Sequence, residues 1–268
     1  EALELKARVV HVADVLAVTL PSSFSQAAGV LEQSLSPARS DDDLSKLVPC
    51  DAGLAGWAVW PMTDYVARYG IKHPKRALRC LHVLTQRNTA EYAIRPFLIE
   101  HRELTMAMLR GWVDDPSPHV RRLVSEGTRP RLPWGVQLKH LIADPSPSFD
   151  FLQKLQDDDS EYVRRSVANH LNDIAKDHPS YVGDWLERYL PSASAARRAM
   201  LRHASRTLIK SGDSRVLKAW GLANALRGDV TFSISPEQVD QGDSVTLDVG
   251  LQSSTKKAQS LMIDYVVH

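Results

Sequence analysis

Trp112-Val-Asp-Asp-Pro-Ser-Pro-His-Val-Arg-Arg-Leu-Val124 and Leu155-Gln-Asp-Asp-Asp-Ser-Glu-Tyr-Val-Arg-Arg-Ser-Val167 are the same sentence written twice. Asp114, Asp115, Ser117, Val120, Arg121, Arg122 and Val124 fall on Asp157, Asp158, Ser160, Val163, Arg164, Arg165 and Val167, an offset of 43 residues. A period of about 40–47 residues built from paired helices marks HEAT-like or armadillo-like repeats. Weaker echoes stand at Pro74-Lys-Arg-Ala-Leu78 and Ala195-Ala-Arg-Arg-Ala-Met200. One helical hairpin cannot bury its apolar stripe alone, so neighbouring hairpins stack into a solenoid whose second helices line a concave face. Arginines at one register then form a ladder, which pairs either with the aspartates at the joints or with a phosphate backbone.

Working outward, residues 1–228 read as successive short helices separated by Pro, Gly or Asp-Pro. The expected spans are 1–19, 23–35, 54–69, 75–86, 89–99, 101–113, 117–127, 135–143, 148–156, 160–176, 179–189, 194–211 and 213–227, with a loop at 39–53. After Gly228 the period changes to two: Val230, Phe232 and Ile234, then Val245, Leu247, Val249 and Leu251, then Leu261, Ile263, Tyr265 and Val267. The expectation is therefore a mainly α protein: a HEAT-like repeat α-solenoid with a concave basic groove over 1–228, followed at 229–268 by the N-terminal part of an immunoglobulin-like β-sandwich. Forty residues are too few for both sheets of such a sandwich, which takes about 100. The first helix also lacks an N-cap. Both ends thus read as those of a piece of a longer chain.

The formal charge of the 268 residues is +1, from 33 Lys and Arg against 32 Asp and Glu. That average conceals segregation. Residues 229–268 hold six acids and two bases, leaving 31 bases and 26 acids in the helical part. Residues 68–131 hold thirteen bases against six acids, and residues 197–227 hold eight against one. A polyanion senses such local excess, because charges act over about 10 Å in ordinary salt.

Several chemistries lose their usual support. Cys50 and Cys80 are too few for a disulfide framework and point to a reducing compartment. No apolar run reaches the roughly 18 residues of a membrane span, and Glu1-Ala-Leu-Glu-Leu5 lacks a signal-peptide layout. Phosphate-binding glycine loops, zinc spacings and the nucleophile elbow of serine hydrolases are absent from the sequence.

The most distinctive run is Val120-Arg-Arg-Leu-Val-Ser-Glu-Gly-Thr-Arg-Pro-Arg-Leu-Pro-Trp-Gly135, preceded by Gly53-Leu-Ala-Gly-Trp-Ala-Val-Trp-Pro-Met-Thr-Asp-Tyr-Val66 and followed by Val163-Arg-Arg-Ser-Val-Ala-Asn-His-Leu-Asn-Asp-Ile-Ala-Lys-Asp-His-Pro179. Together these resemble the AlkC family of bacterial DNA alkylation-repair glycosylases, relatives of AlkD-type enzymes built on HEAT-like repeats. The resemblance covers essentially all of residues 1–228. It implies hydrolysis of the N-glycosidic bond of cationic alkylated bases, 3-methyladenine and 3-methylcytosine, in double-stranded DNA. It further implies a cytoplasmic bacterial monomer that needs neither metal nor organic cofactor. Some members carry a C-terminal immunoglobulin-like domain, which fits the strand-like tail.

A methylated cationic base is already a good leaving group. Such a reaction mainly needs carboxylates to stabilise positive charge on the sugar and to place a water. On the matching motifs, Glu126, Asp173 and Glu91 are the candidate catalytic acids. The bland alternatives are a helix-end acid pairing with Arg122 or Arg129, a solvated solenoid face, and an acid complementing a helix N-terminus. Trp134, at a rigid Pro-Trp-Gly turn, is a candidate DNA or lesion contact, the alternative being a loop tryptophan tucked into the core. Arg122, Arg129, Arg164 and Arg165 are candidate phosphate contacts, or bridges between repeats through Asp114, Asp115, Asp157 or Asp158. Trp57 and Trp60 read as core, with Trp60 able to reach DNA. His170 reads as a structural histidine. Two other classes compete: a non-catalytic HEAT-repeat nucleic-acid-binding module and a protein-interaction scaffold.

Overall fold

The computed structural model describes residues 3–222 and 224–263. Its helices are α1 (Leu5–Thr19), α2 (Phe24–Gln33), α3 (Trp60–Tyr69), α4 (Pro74–Thr85), α5 (Arg95–Glu100), α6 (Arg102–Trp112) and α7 (Pro118–Gly127). They continue as α8 (Lys139–Ala143), α9 (Phe149–Leu155), α10 (Glu161–Asp177), α11 (Pro179–Tyr189), α12 (Ala195–Ala204), α13 (Arg206–Lys210) and α14 (Ser214–Ala219). Contacts divide the chain into two compact units, one ending at Thr207 and the other starting at Leu208.

The repeated aspartates explain the joints. The Asp115 carboxylate accepts the Ser117 backbone N–H at 2.8 Å, Asp144 accepts that of Ser146 at 3.0 Å, and Asp158 accepts that of Ser160 at 2.9 Å. Each closes a turn in which an Asp side chain stands in for a backbone carbonyl. A proline at the first helical position of α7, or the Ser160 hydroxyl accepting the Val163 N–H at α10, then starts the next helix.

In the first unit, α4, α7, α10 and α12 pack side by side, each against the next. The helices α6, α9 and α11 form a second layer against them. The seam between layers is apolar: Leu78, Leu81, Leu84, Leu109, Leu123, Leu152, Val167, Leu171 and Leu186 are all buried. Fully burying each such side chain contributes roughly 1.5–3 kcal/mol.

Four boundaries differ from expectation. The helix expected from 54 starts at Trp60, because Gly56 at φ 64° sits with its nitrogen bonded to the Arg87 carbonyl, and a 3-10 turn intervenes. The segment from Thr89 runs as turns until Arg95, and the one from Gly135 becomes helical only at Lys139. The last helix ends at Ala219, where Gly221 takes φ 71°.

In the second unit, β1 (Gly228–Ser235) and β2 (Thr246–Ser253) pair antiparallel, with Val230 opposite Leu251, Phe232 opposite Val249 and Ile234 opposite Leu247. The two-residue period thus places these six apolar side chains on one face, and every one of them is exposed. Of the third expected strand, Leu261, Met262 and Ile263 form no strand and the remainder lies outside the described residues. No single described helix is long and apolar enough to cross a membrane.

Ion pairs tie successive hairpins together. Arg121 grips the buried Asp158 through two nitrogens at 2.6 and 2.9 Å, Arg197 grips Asp157, and Lys154 meets Asp114 at 3.2 Å. Their environments differ, so their contributions should too. Arg121→Ala leaves the buried Asp158 carboxylate without its cation and is expected to lower the unfolding free energy by about 2–3 kcal/mol. Lys154→Ala removes an exposed pair and is expected to cost less than about 0.5 kcal/mol. Urea denaturation of both variants checks the contrast.

Candidate active site

Four segments supply the site. The helix α7 carries Arg122 and Glu126 one turn apart on one face. The helix α10 carries Tyr162, Ser166 and Asp173 on the face turned to α7. The turns before α5 supply Thr89, Glu91 and Tyr92, and the loop leaving α7 supplies Arg129 and Trp134.

These side chains form one alternating chain of charges. Glu91 Oε2 accepts from the Thr89 hydroxyl at 2.6 Å and from Arg122 at 2.7 Å. Arg122 also reaches the Thr89 hydroxyl at 3.0 Å, approaches Glu126 to 3.6 Å and lies over the Tyr162 ring at 4.8 Å from its centre. Glu126 accepts from Arg129 at 2.6 Å on one oxygen and from the Ser166 hydroxyl at 2.6 Å on the other. Arg129 Nε donates to Asp173 at 2.9 Å, and Lys176 meets the other Asp173 oxygen at 3.2 Å. Glu91, Glu126 and Asp173 are only 7, 4 and 2% exposed.

Burial is the largest influence on the Glu126 carboxyl and works to raise it. Arg122, Arg129 and the Ser166 hydroxyl together outweigh burial and hold the group below the ordinary glutamate value. Burial likewise works to lower Arg122 and Arg129, but the carboxylates beside them win, Glu91 foremost at Arg122 and Glu126 at Arg129, and both guanidinium groups are raised. Glu126 is thereby kept as a carboxylate at neutral pH, suited to stabilising a cation or holding a water and not to donating a proton.

A cavity of about 380 Å³ opens beside this chain, with Arg122, Glu126, Tyr162, Arg165, Ser166 and Asn169 in its lining. Glu91 and Asp173 stand outside that lining and reach Glu126 through the arginines. Trp134 is 87% exposed and holds φ 61°, the one non-glycine residue in the left-handed region among those described. Trp57, expected in the core, is 70% exposed. It is the outer end of an aromatic row in which Trp60 lies 5.6 Å from it and 6.0 Å from Tyr92. The 3-10 turn over Gly56–Val59 swings Trp57 off the buried helix face on which its three-residue spacing from Trp60 would place it.

The two Arg-Arg pairs divide in the same way. Arg121 and Arg164 turn back to their joints, Arg164 donating to the carbonyls of Asp158 and Asp159. Arg122 and Arg165 face the cavity, and Arg165 is exposed with no ion pair among the described residues. His170 is fully buried with Nδ1 at 3.0 Å from the Ser125 carbonyl, and burial pushes it down to about 4. Among the described residues no cluster of three or more His, Cys, Asp or Glu is placed to hold a metal ion.

Sequence reasoning missed Thr89, Tyr162 and Ser166. The repeat alignment contained a signal for two of them. In the 43-residue register Ser166 occupies the place of the core residue Leu123, and Tyr162 that of His119, whose ring it meets edge-on at 5.6 Å. A hydroxyl where the sister repeat buries a leucine needs a polar partner, and that partner is Glu126.

Comparison with known proteins bears on this arrangement. A family model for DNA alkylation repair enzymes matches residues 85–208. The chain is 35% identical over 266 residues to the uncharacterized protein YhaZ of Bacillus subtilis (strain 168), covering 99% of this chain and 69% of that one. The solved structure of the Pseudomonas fluorescens alkylpurine DNA glycosylase AlkC, bound to DNA containing an abasic site analog, superposes with a TM-score of 0.82 at 34% identity. That match covers 94% of this chain and 66% of the other, so the chain spans about two thirds of the length of either relative. With likeness of this extent in both sequence and fold, the chain belongs to the AlkC-type family of DNA alkylation repair proteins.

Proposed function

We propose that the protein is a DNA glycosylase acting as a monomer on double-stranded DNA, and that it releases cationic alkylated bases such as 3-methyladenine and 3-methylcytosine. The observation that carries this reading is Glu126, a buried carboxylate kept ionised at the edge of a cavity that also holds Tyr162 and Arg165. In the proposed reaction the bond between the sugar C1′ and the base nitrogen breaks, and its electron pair neutralises the cationic base. The sugar then carries positive charge, which the Glu91, Glu126 and Asp173 carboxylates stabilise in surroundings with little water to screen them. A water adds to C1′ and gives up its proton to a carboxylate or to solvent. Arg165 is free to meet a phosphate flanking the lesion, and Trp134 and Trp57 offer large exposed faces for stacking on a base or sugar. The AlkC relative binds DNA with an abasic site analog, the kind of product such a reaction leaves.

Incubation with methylated DNA should release free 3-methyladenine. Glu126→Gln and Asp173→Asn should each slow single-turnover release by about 10²–10³-fold while binding to abasic-analog DNA persists. Release at the parent rate in both variants would remove these acids from the mechanism, and a parent protein that releases no base would remove the activity.

The pH profile has a definite sign. Because Glu126 acts as a carboxylate and its carboxyl is held below the ordinary glutamate value of 4.5, the excision rate should stay level as pH falls from 8 toward the acid range, with the midpoint of its loss below that value. A rate that instead falls as pH rises toward 8 would show that a protonated acid is required.

Trp134 separates stability from function. Trp134→Gly relieves a left-handed conformation that costs an L-residue roughly 1–2 kcal/mol, so thermal unfolding should move up or stay level. Affinity for abasic-analog DNA should fall, and an unchanged affinity would count against contact with DNA.

A further inference from the structure

Arg95 opens α5 and is 1% exposed, among the most buried large side chains in the molecule. A guanidinium so placed is ordinarily neutralised by a carboxylate. This one makes no ion pair among those found in the described residues. It donates instead to three backbone carbonyls: from Nε to Val136 at 2.5 Å, and from one terminal nitrogen to Gly127 at 3.0 Å and Arg129 at 2.9 Å. The other terminal nitrogen is buried without a hydrogen-bond partner. Burial first, and repulsion from Arg129 second, bring this arginine down to about 10, a sign of how little compensates its charge.

The three carbonyls belong to one loop. Gly127 ends α7, Arg129 stands two residues on, and Val136 closes the far side. Between them lie the guanidinium that joins Glu126 to Asp173 and the exposed tryptophan at positive φ. Beyond the clasp the loop has few backbone ties, among them Gly135 N–H to the Leu132 carbonyl and Leu138 N–H to the Pro130 carbonyl, both at 3.1 Å. The arginine stem also packs beneath Gly135, where a β-carbon would stand 3.4 Å from Arg95 Cδ and 3.1 Å from Leu132 Cδ2. An apolar side chain of the same length would leave three carbonyls unpaired. A lysine would supply a point charge without the planar fork that fixes their separation.

We propose that Arg95 is the positioning residue of the 127–136 loop, clasping its two ends so that Arg129 stays between Glu126 and Asp173 and Trp134 meets DNA already formed at the loop tip. It is not among the residues that line the cavity and acts through the residues it holds. A strained residue persists only where its surroundings over-determine it, and the clasp supplies that determination. The functional half of this inference rests on the glycosylase reading; the structural half does not.

Two measurements on the full chain test it. In Arg95→Met, limited trypsin digestion should cut after Arg131 at least about tenfold faster while sites in α4 and α10 keep their parent rates, with Arg95→Lys between. Single-turnover excision should fall about 10²-fold in Arg95→Met, and the loss should not multiply with that of Trp134→Ala in the double variant, since both act through one loop. Unchanged cleavage after Arg131, faster cleavage at every site alike, or losses that multiply would each overturn the proposal. Should Arg95→Met fail to fold, Arg95→Lys, which keeps the charge and loses the planar fork, should still speed the same cut and slow excision; parent behaviour there overturns it equally. The proteolysis needs no catalysis, so a chain that releases no base refutes the glycosylase reading and leaves the Arg95 clasp to be decided by the cleavage pattern.

Discussion

The candidate site depends on Arg129 lying between Glu126 and Asp173. Two carboxylates this buried, on neighbouring helices, would repel each other. The guanidinium between them, at 2.6 and 2.9 Å, offsets that repulsion, and Arg122 does the same between Glu91 and Glu126. The acids arrive from three places in the chain and the cations from two, so the network is also what joins the turns before α5 to α7 and α10. The packing of the helices and the charge state of the site are one constraint.

Helical geometry explains why a doubled arginine serves two ends at once. Successive residues on a helix point about 100° apart, so one arginine of each pair must turn away from whatever its neighbour faces. Arg121 and Arg164 face the joints, Arg121 tying its hairpin to the next through Asp158, while Arg122 and Arg165 face the cavity. Charge at this register is therefore half structural, and the excess of basic residues along 68–131 overstates the charge left for a polyanion. Arg121, Arg122, Arg129 and Arg131 all hold carboxylates already.

Much of this was legible before the fold was known, and for identifiable reasons. The Asp-x-Ser turns and the buried valines recur because each repeat solves the same local problem, so helices α6, α7, α9 and α10 stand close to where periodicity put them. The acids in the long motif were legible as candidates because their neighbours were distinctive. What stayed hidden depends on contacts between distant segments. Nothing local to Thr89 shows that its hydroxyl will share Glu91 with Arg122. Trp57 and Trp60 carry a three-residue spacing that suits a buried helix face, yet a bond between Gly56 and Arg87 shortens that helix and turns Trp57 outward. Arg95 sits in an ordinary basic stretch, and only the path of the loop 32 to 41 residues later makes it a clasp.

The ties between hairpins share one further property. Arg121 and Asp158 are 37 residues apart, Lys154 and Asp114 are 40, Arg197 and Asp157 are 40, Arg129 and Asp173 are 44, and Arg131 and Asp177 are 46. Each spans about one repeat, so the pairs act together as a ruler laid along the chain. A single residue inserted within α7 or α10 would turn every later side chain of that helix by about 100° and unseat several pairs together. A change of length inside these helices would therefore break several pairs at once, whereas the gain or loss of a whole repeat would keep their spacing.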